Sequence, residues 1–279
     1  VETLSVRNGA VSLHVNLYGD GPTVVLLHGW PDTSALWDEV VPELVAAGYR
    51  VAAPDLRGCG RSDKPSDLAS YQMAQLIGDA VAIIKALGDE PVKLVGHDWG
   101  AALAWAVATV RPDLVERLVA VSVGHPTSFF SAGIEQQVKS WYMLLFHFEG
   151  LGEAFLRRNN YEALRHWTGH PRIEPVIDEL ERDGQLAIHL LWYRANVAPD
   201  AFVTDPPQLP AVEVPVLGVW SSRDLALTEV QMTGSARYCA KGFSYVRLDN
   251  VGHWIPIEAP SALARAIIDF GPTSDESPS

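Results

Sequence analysis

The order of apolar and polar positions divides the chain into three stretches. The first opens on strands, at residues 4–7 and at Val11–Tyr18, joined across Asn8-Gly9, a dipeptide suited to a two-residue hairpin turn. Thr23–Leu27 is a continuous apolar run of the kind found in strands covered on both faces, and it ends in His28-Gly29-Trp30-Pro31. A helix is predicted over 34–47, stopped by Gly48 as by a C-cap. A strand over 49–53, a helix over 71–87, a short strand over 92–95, a helix over 101–110 and a strand over 118–123 follow. Strands alternating with helices predict a parallel sheet with helices on both faces.

The second stretch, 127–210, loses that alternation. It is helical in pattern and rich in histidine and aromatic residues, among them Trp141, Tyr142, Phe146, Trp167, Trp192 and Tyr193. It closes in a proline-heavy linker between Asp205 and Pro215 and reads as an inserted helical cap. In the third stretch strands resume at 216–220 and at Phe243–Leu248, and a helix over 261–270 closes the domain. The predicted architecture is therefore an α/β core, 1–126 and 211–270, interrupted by a cap at 127–210. A tail at 271–279 is expected to be disordered.

Size and composition narrow the possibilities. A chain of 279 residues, 48% of them hydrophobic, suffices for one sizeable α/β domain with an insertion. Its formal charge of −13 argues against nucleic acid and anionic membrane surfaces as partners. The two cysteines, Cys59 and Cys239, lie far apart and in no ligand spacing, so neither a zinc site nor a disulfide framework is expected. The chain shows no signal-peptide pattern and no apolar run that would span a bilayer, and the expected compartment is the cytoplasm. The glycine-rich stretch 57–62 lacks the Lys-Ser/Thr ending of a phosphate-binding loop and reads as a plain βα connection.

Candidate chemistry centres on Gly96-His97-Asp98-Trp99-Gly100. The stretch has the form of a strand–turn–helix nucleophile elbow, but with Asp where esterases carry Ser. Alone it is weak, because an Asp there also suits the cap of the following helix. Two further candidates strengthen it. Asp224 follows the strand at 216–220, and His253 follows the strand ending at Leu248. Ligands of open α/β sheets bind beyond the carboxyl ends of the strands, and the order nucleophile, acid, histidine is that of α/β-hydrolases. The stretch after the strand ending at Val123 reads Gly124-His125-Pro126 and offers no rival carboxylate.

With those residues in view, the chain resembles the epoxide hydrolase branch of the α/β-hydrolase fold, over nearly its whole length. His28-Gly29-Trp30-Pro31 matches that family's H-G-x-P motif, and Gly96–Gly100 its nucleophile motif. The resemblance implies an eight-stranded, mostly parallel sheet. It implies ring-opening tyrosines in the cap at Tyr142, in a loosely similar stretch, and at Tyr193, in Trp192-Tyr193-Arg194. It also implies an oxyanion hole from the backbone N–H groups of Trp30 and Trp99, a cis Trp30–Pro31 bond, and Trp30, Trp99 and Trp192 beside the substrate. A carboxylate can displace at a saturated carbon, and a phenol that stays protonated at neutral pH can donate to the departing alkoxide. His253, oriented by Asp224, would then activate water against the Asp98 ester.

The expected activity is thus conversion of a lipophilic epoxide and water to a diol, without a cofactor or metal. Two alternatives remain open at this level. A haloalkane or haloacid dehalogenase would use the same nucleophile, with indole N–H groups such as that of Trp99 holding the halide. A binding protein on a hydrolase scaffold would bind without turnover. The oligomeric state is not legible.

Overall fold

The computed structural model describes residues 1–271; the expected disordered tail falls, from residue 272 on, outside the described residues. Eight strands form one sheet: β1 (Glu2–Asn8), β2 (Val11–Tyr18), β3 (Thr23–Leu27), β4 (Arg50–Pro54), β5 (Val92–His97), β6 (Val115–Val121), β7 (Val216–Ser221) and β8 (Phe243–Leu248). Their order across the sheet is β1-β2-β4-β3-β5-β6-β7-β8. The first two pairings, β1 with β2 and β2 with β4, are antiparallel, and all the others are parallel. This is the expected mostly parallel sheet.

The central strands are apolar on both faces because helices cover both. The period-2 alternation of strand side chains divides the core accordingly. Val25, Leu27 and Leu94 join one cluster with α2 (Met73–Leu87) and α3 (Trp99–Val110). Val24, Leu26 and Val95 join the other, which includes residues of α1 (Val41–Ala46) and the C-terminal helix.

The helix expected over 34–47 is instead a 3₁₀ turn, Ser34–Trp37, followed by α1. Pro42 explains the break. It has no N–H to donate and its ring clashes with the carbonyl four residues back, so it is accommodated in the first turn of a new helix. The predicted strand over 118–123 begins earlier, at Val115, and stops at Val121, where Ser122 takes a positive φ of 69°.

Between β6 and β7 the chain forms helices only: α4 (Pro126–Phe130), α5 (Ile134–Lys139), α6 (Trp141–Phe146), α7 (Leu151–Thr168), α8 (Ile173–Glu181) and α9 (Gln185–Asn196), with short 3₁₀ turns. Within α7, Arg158 to Tyr161 leave helical geometry, three of them with positive φ, so the element bends there. After β7 come α10 (Glu229–Thr233), α11 (Ile255–Glu258) and α12 (Pro260–Asp269). No described helix is long and apolar enough to cross a membrane.

Candidate active site at the carboxyl ends of β3, β5, β7 and β8

Asp98 sits at the tip of a sharp turn between β5 and α3, with φ 54° and ψ −123°, a conformation costly for a residue with a side chain. The turn is possible only because its flanks are bare. A Cβ on Gly96 would lie 2.2 Å from the Gly100 carbonyl oxygen, and one on Gly100 would lie 2.1 Å from that of Leu27. Although Asp98 stands at the N-cap of α3, its side chain makes no capping bond. Its Oδ1 instead accepts the backbone N–H of Trp30 at 2.8 Å, and the backbone N–H of Trp99 also donates to the carboxylate. The Trp30–Pro31 bond is cis, as the resemblance implied.

His253 and Asp224 converge on this carboxylate. His253 Nδ1 lies 2.8 Å from Asp224 Oδ2, while Asp224 Oδ1 accepts the N–H groups of Ala226 and Leu227 at 2.8 and 2.9 Å. The other ring nitrogen, Nε2, stands 3.7 Å from Asp98 Oδ2, beyond direct hydrogen-bond range. The histidine is braced from below, its carbonyl accepting from His97 Nε2 at 2.9 Å.

The electrostatics follow from this burial and proximity. Burial, the largest influence on Asp98, raises its pKa, and His253 and the two N–H groups counter it only in part. For His253 burial alone would lower the pKa. The charge and hydrogen bond of Asp224, with smaller effects from Asp98 and Asp32, outweigh it and raise the value to about 9.

Tyr142 on α6 and Tyr193 on α9 are buried, with ring centroids 5.9 Å apart, beside Asp98. The two phenols face one another, and the Trp99 ring packs edge-on against Tyr193 at 5.1 Å between centroids. Burial is the largest cause for both phenols; Asp98 and then Asp224 add to it for Tyr142, and the neighbouring Tyr142 and then Asp98 for Tyr193, so both pKa values lie well above 10 and both phenols stay protonated.

The tryptophans separate. Trp30 and Trp99 line cavity surface next to Asp98. Trp192 lines neither cavity at Asp98; it packs edge-on behind Trp99 at 5.8 Å, and its indole N–H is taken by the Arg57 carbonyl at 3.1 Å.

The structure also shows two contributors the sequence did not single out. Arg194 donates to the Phe146 carbonyl at 2.7 Å and to Glu153 at 2.8 Å, tying α9 to α6 and α7. Trp167 packs on Tyr142 at 4.4 Å. The adjacency of Arg194 to Tyr193 was the available signal for the first; Trp167 carried none beyond its aromatic character. Among the described residues no cluster of His, Cys, Asp and Glu suited to a metal is present.

A family model described as alpha/beta hydrolase fold matches residues 22–260. Over 95% of the chain and 96% of the relative, it is 32% identical to the AB hydrolase superfamily protein YfhM of Bacillus subtilis. It is 30% identical to an epoxide hydrolase of Caballeronia sordidicola, over 99% of this chain and 95% of that one. The chain belongs to the epoxide hydrolase family of the α/β-hydrolase fold. Among solved structures, the crystal structure of Bacillus megaterium epoxide hydrolase in complex with an inhibitor superimposes with a TM-score of 0.84. It is 26% identical, over 96% of this chain and 99% of that chain.

Proposed function

We propose that this protein is an epoxide hydrolase working through an alkyl ester on Asp98. The observation that carries the reading is one carboxylate bounded on one side by an imidazole at 3.7 Å and on the other by two protonated, buried phenols. An Asp98 oxygen attacks an epoxide carbon, the ring C–O bond breaks, and the alkoxide oxygen takes a proton from Tyr142 or Tyr193. In the second step His253 removes a proton from water, which attacks the carboxyl carbon of the ester. The carbonyl oxygen then gains charge where the Trp30 and Trp99 N–H groups already donate. Collapse breaks the ester C–O bond, the departing oxygen takes the proton of the new carboxyl group to complete the diol and restore the carboxylate, and the proton held by His253 returns to the tyrosinate. Asp224 fixes the tautomer of His253 and stabilises its charged form. The substrate partners are a lipophilic epoxide and water, and no residue role requires a cofactor.

Alkylation also tunes the base. It removes the Asp98 charge, one of the influences holding the His253 pKa at about 9, so the imidazole becomes easier to deprotonate just when it must act as a base.

In this reading the helices of 127–210 form a cap over a core of 1–126 and 211–270, supplying the acids while the core supplies nucleophile and base. Dehalogenation is the competing use of the same carboxylate. Trp30 Nε1 has no hydrogen-bond partner and would suit a halide, but the two buried, protonated phenols beside Asp98 suit a departing alkoxide better. Styrene oxide should therefore yield its diol while 1-chlorobutane releases no chloride; chloride release without diol formation reverses the ranking.

The deciding experiment is a single turnover in oxygen-18 water. The label should appear in the Asp98 carboxylate and not in the first diol released. A labelled first diol means direct attack of water on the epoxide and removes the ester from the mechanism.

A further inference from the structure

The space around Asp98 is divided into two unequal compartments. One is a cavity of about 390 Å³, apolar in lining, that follows a single face of α3 through Trp99, Ala102, Trp105, Ala106, Thr109 and Val110. At a rise of about 1.5 Å per residue this face runs for roughly 16 Å. Its far end lies at the exposed Val110 and Leu209, and Phe129, Phe130 and Met143 wall its side. The other compartment lies on the His253 side, has a volume of about 30 Å³, and is lined by Trp30, Trp167, Tyr193, Leu225 and Trp254. Asp98 and Tyr142 line both.

The small compartment has braced walls. Trp167 packs against Tyr142 and Trp141, at 4.4 and 5.7 Å between ring centroids. The Trp254 indole N–H is held by the Thr168 carbonyl at 3.0 Å. The compartment is far smaller than the cavity along α3, and it lies against the imidazole that must activate water. A carbon substituent placed there would displace that water or push aside fixed indoles. The large arm has the opposite character. An extended chain advances roughly 1.2 Å per bond, so the arm accepts a tail of about a dozen atoms with little polar surface to desolvate.

Resting on the reaction assigned above, the geometry points to a monosubstituted, terminal epoxide as the substrate class. Its single lipophilic tail lies along α3, and its unsubstituted carbon faces the smaller His253 compartment, where the phenol of Tyr193 meets the ring oxygen and the hydrolytic water enters. Trp167 and Leu225 set this specificity by narrowing the compartment against a second substituent. Oxiranes carrying a bulky group on each ring carbon are excluded.

The test compares kcat/KM for 1,2-epoxydodecane, its isomer trans-6,7-epoxydodecane, and 1,2-epoxybutane. The wild-type protein is expected to favour the terminal C12 epoxide over the internal isomer by about ten- to a hundredfold. The long terminal epoxide is also expected to exceed the butane. Equal values for the two C12 isomers, or a preference for the internal one, overturn the proposal while leaving the assigned reaction intact. Failure to hydrolyse any of the three removes the assigned reaction and the proposal with it.

Leu225→Ala acts at a half-exposed side chain. It is expected to raise the internal-to-terminal ratio about fivefold or more by opening the compartment. Ala106→Trp, which fills the arm, is expected to lower the ratio of dodecane to butane epoxide by a similar factor. An unchanged ratio in either variant, with its melting temperature within a few degrees of the parent, overturns the compartment assignment concerned.

Discussion

At the scale of single residues, the turn at Asp98 joins strain to function. A side chain held at φ 54° without capping its helix stores an unfavourable conformation to aim a carboxylate, and in the proposed mechanism the two flanking N–H donors define where charge develops. Asp98→Ala is expected to lower kcat/KM for styrene oxide by about 10⁴-fold or more while preserving the fold. His253→Gln should stop at the ester, seen by mass spectrometry as one substrate mass added to the intact protein; full turnover without that adduct would remove His253 as the base. Each phenol changed singly to Phe is expected to slow ring opening, and the double change to slow it by about 10²- to 10⁴-fold. The pH dependence has a definite sign. Ester hydrolysis needs neutral His253, so its rate rises with pH through the histidine pKa and then levels. Because alkylation deletes the Asp98 charge, levelling is expected below about pH 9 in single-turnover measurements; a rate still climbing above that value contradicts the charge argument.

At the scale of elements, the site depends on how strands and helices are brought together. Gly100 lets α3 approach β3 so closely that a single methyl group has no room. Gly100→Ala is expected to destabilise the protein by about 1–3 kcal/mol or more, measured by urea unfolding, because backbone must move. Arg194 ties α9 to α7 through a largely buried ion pair with Glu153 and to α6 through the Phe146 carbonyl. Arg194→Ala should cost about 3 kcal/mol and lower kcat, by leaving Glu153 unpaired and loosening the two tyrosine-bearing helices. Activity equal to the parent would show that the ion pair only supports folding. Elements were also where sequence reading fared unevenly. Val11–Tyr18, Thr23–Leu27 and Phe243–Leu248 match their predicted bounds, because apolar pattern and turn residues agree there. The single helix expected over 34–47 failed because Pro42 was passed over. The bend in α7 was missed although Asn159 and Asn160, residues tolerant of positive φ, lie within it.

At the scale of the whole molecule, one sheet collects residues distant in sequence. Asp98, Asp224 and His253 were legible because each follows an apolar strand, and a parallel sheet places strand ends along one edge. The bracing of Tyr142 by Trp167 and the split of the cavity were not legible, since they arise from packing between helices whose order in space no local pattern records. The placing of Trp192 behind Trp99 rather than beside the cavity belongs to the same class.

Tyr142 and Tyr193 ride on helices threaded between β6 and β7, whereas the carboxylate, imidazole and N–H donors belong to loops of the sheet. In the proposed mechanism, bond cleavage in the incoming molecule and release of the captured half are therefore governed by two separately replaceable pieces of chain. Exchange of the threaded piece alone would retune which leaving group can depart, and the sheet would still liberate whatever it had trapped.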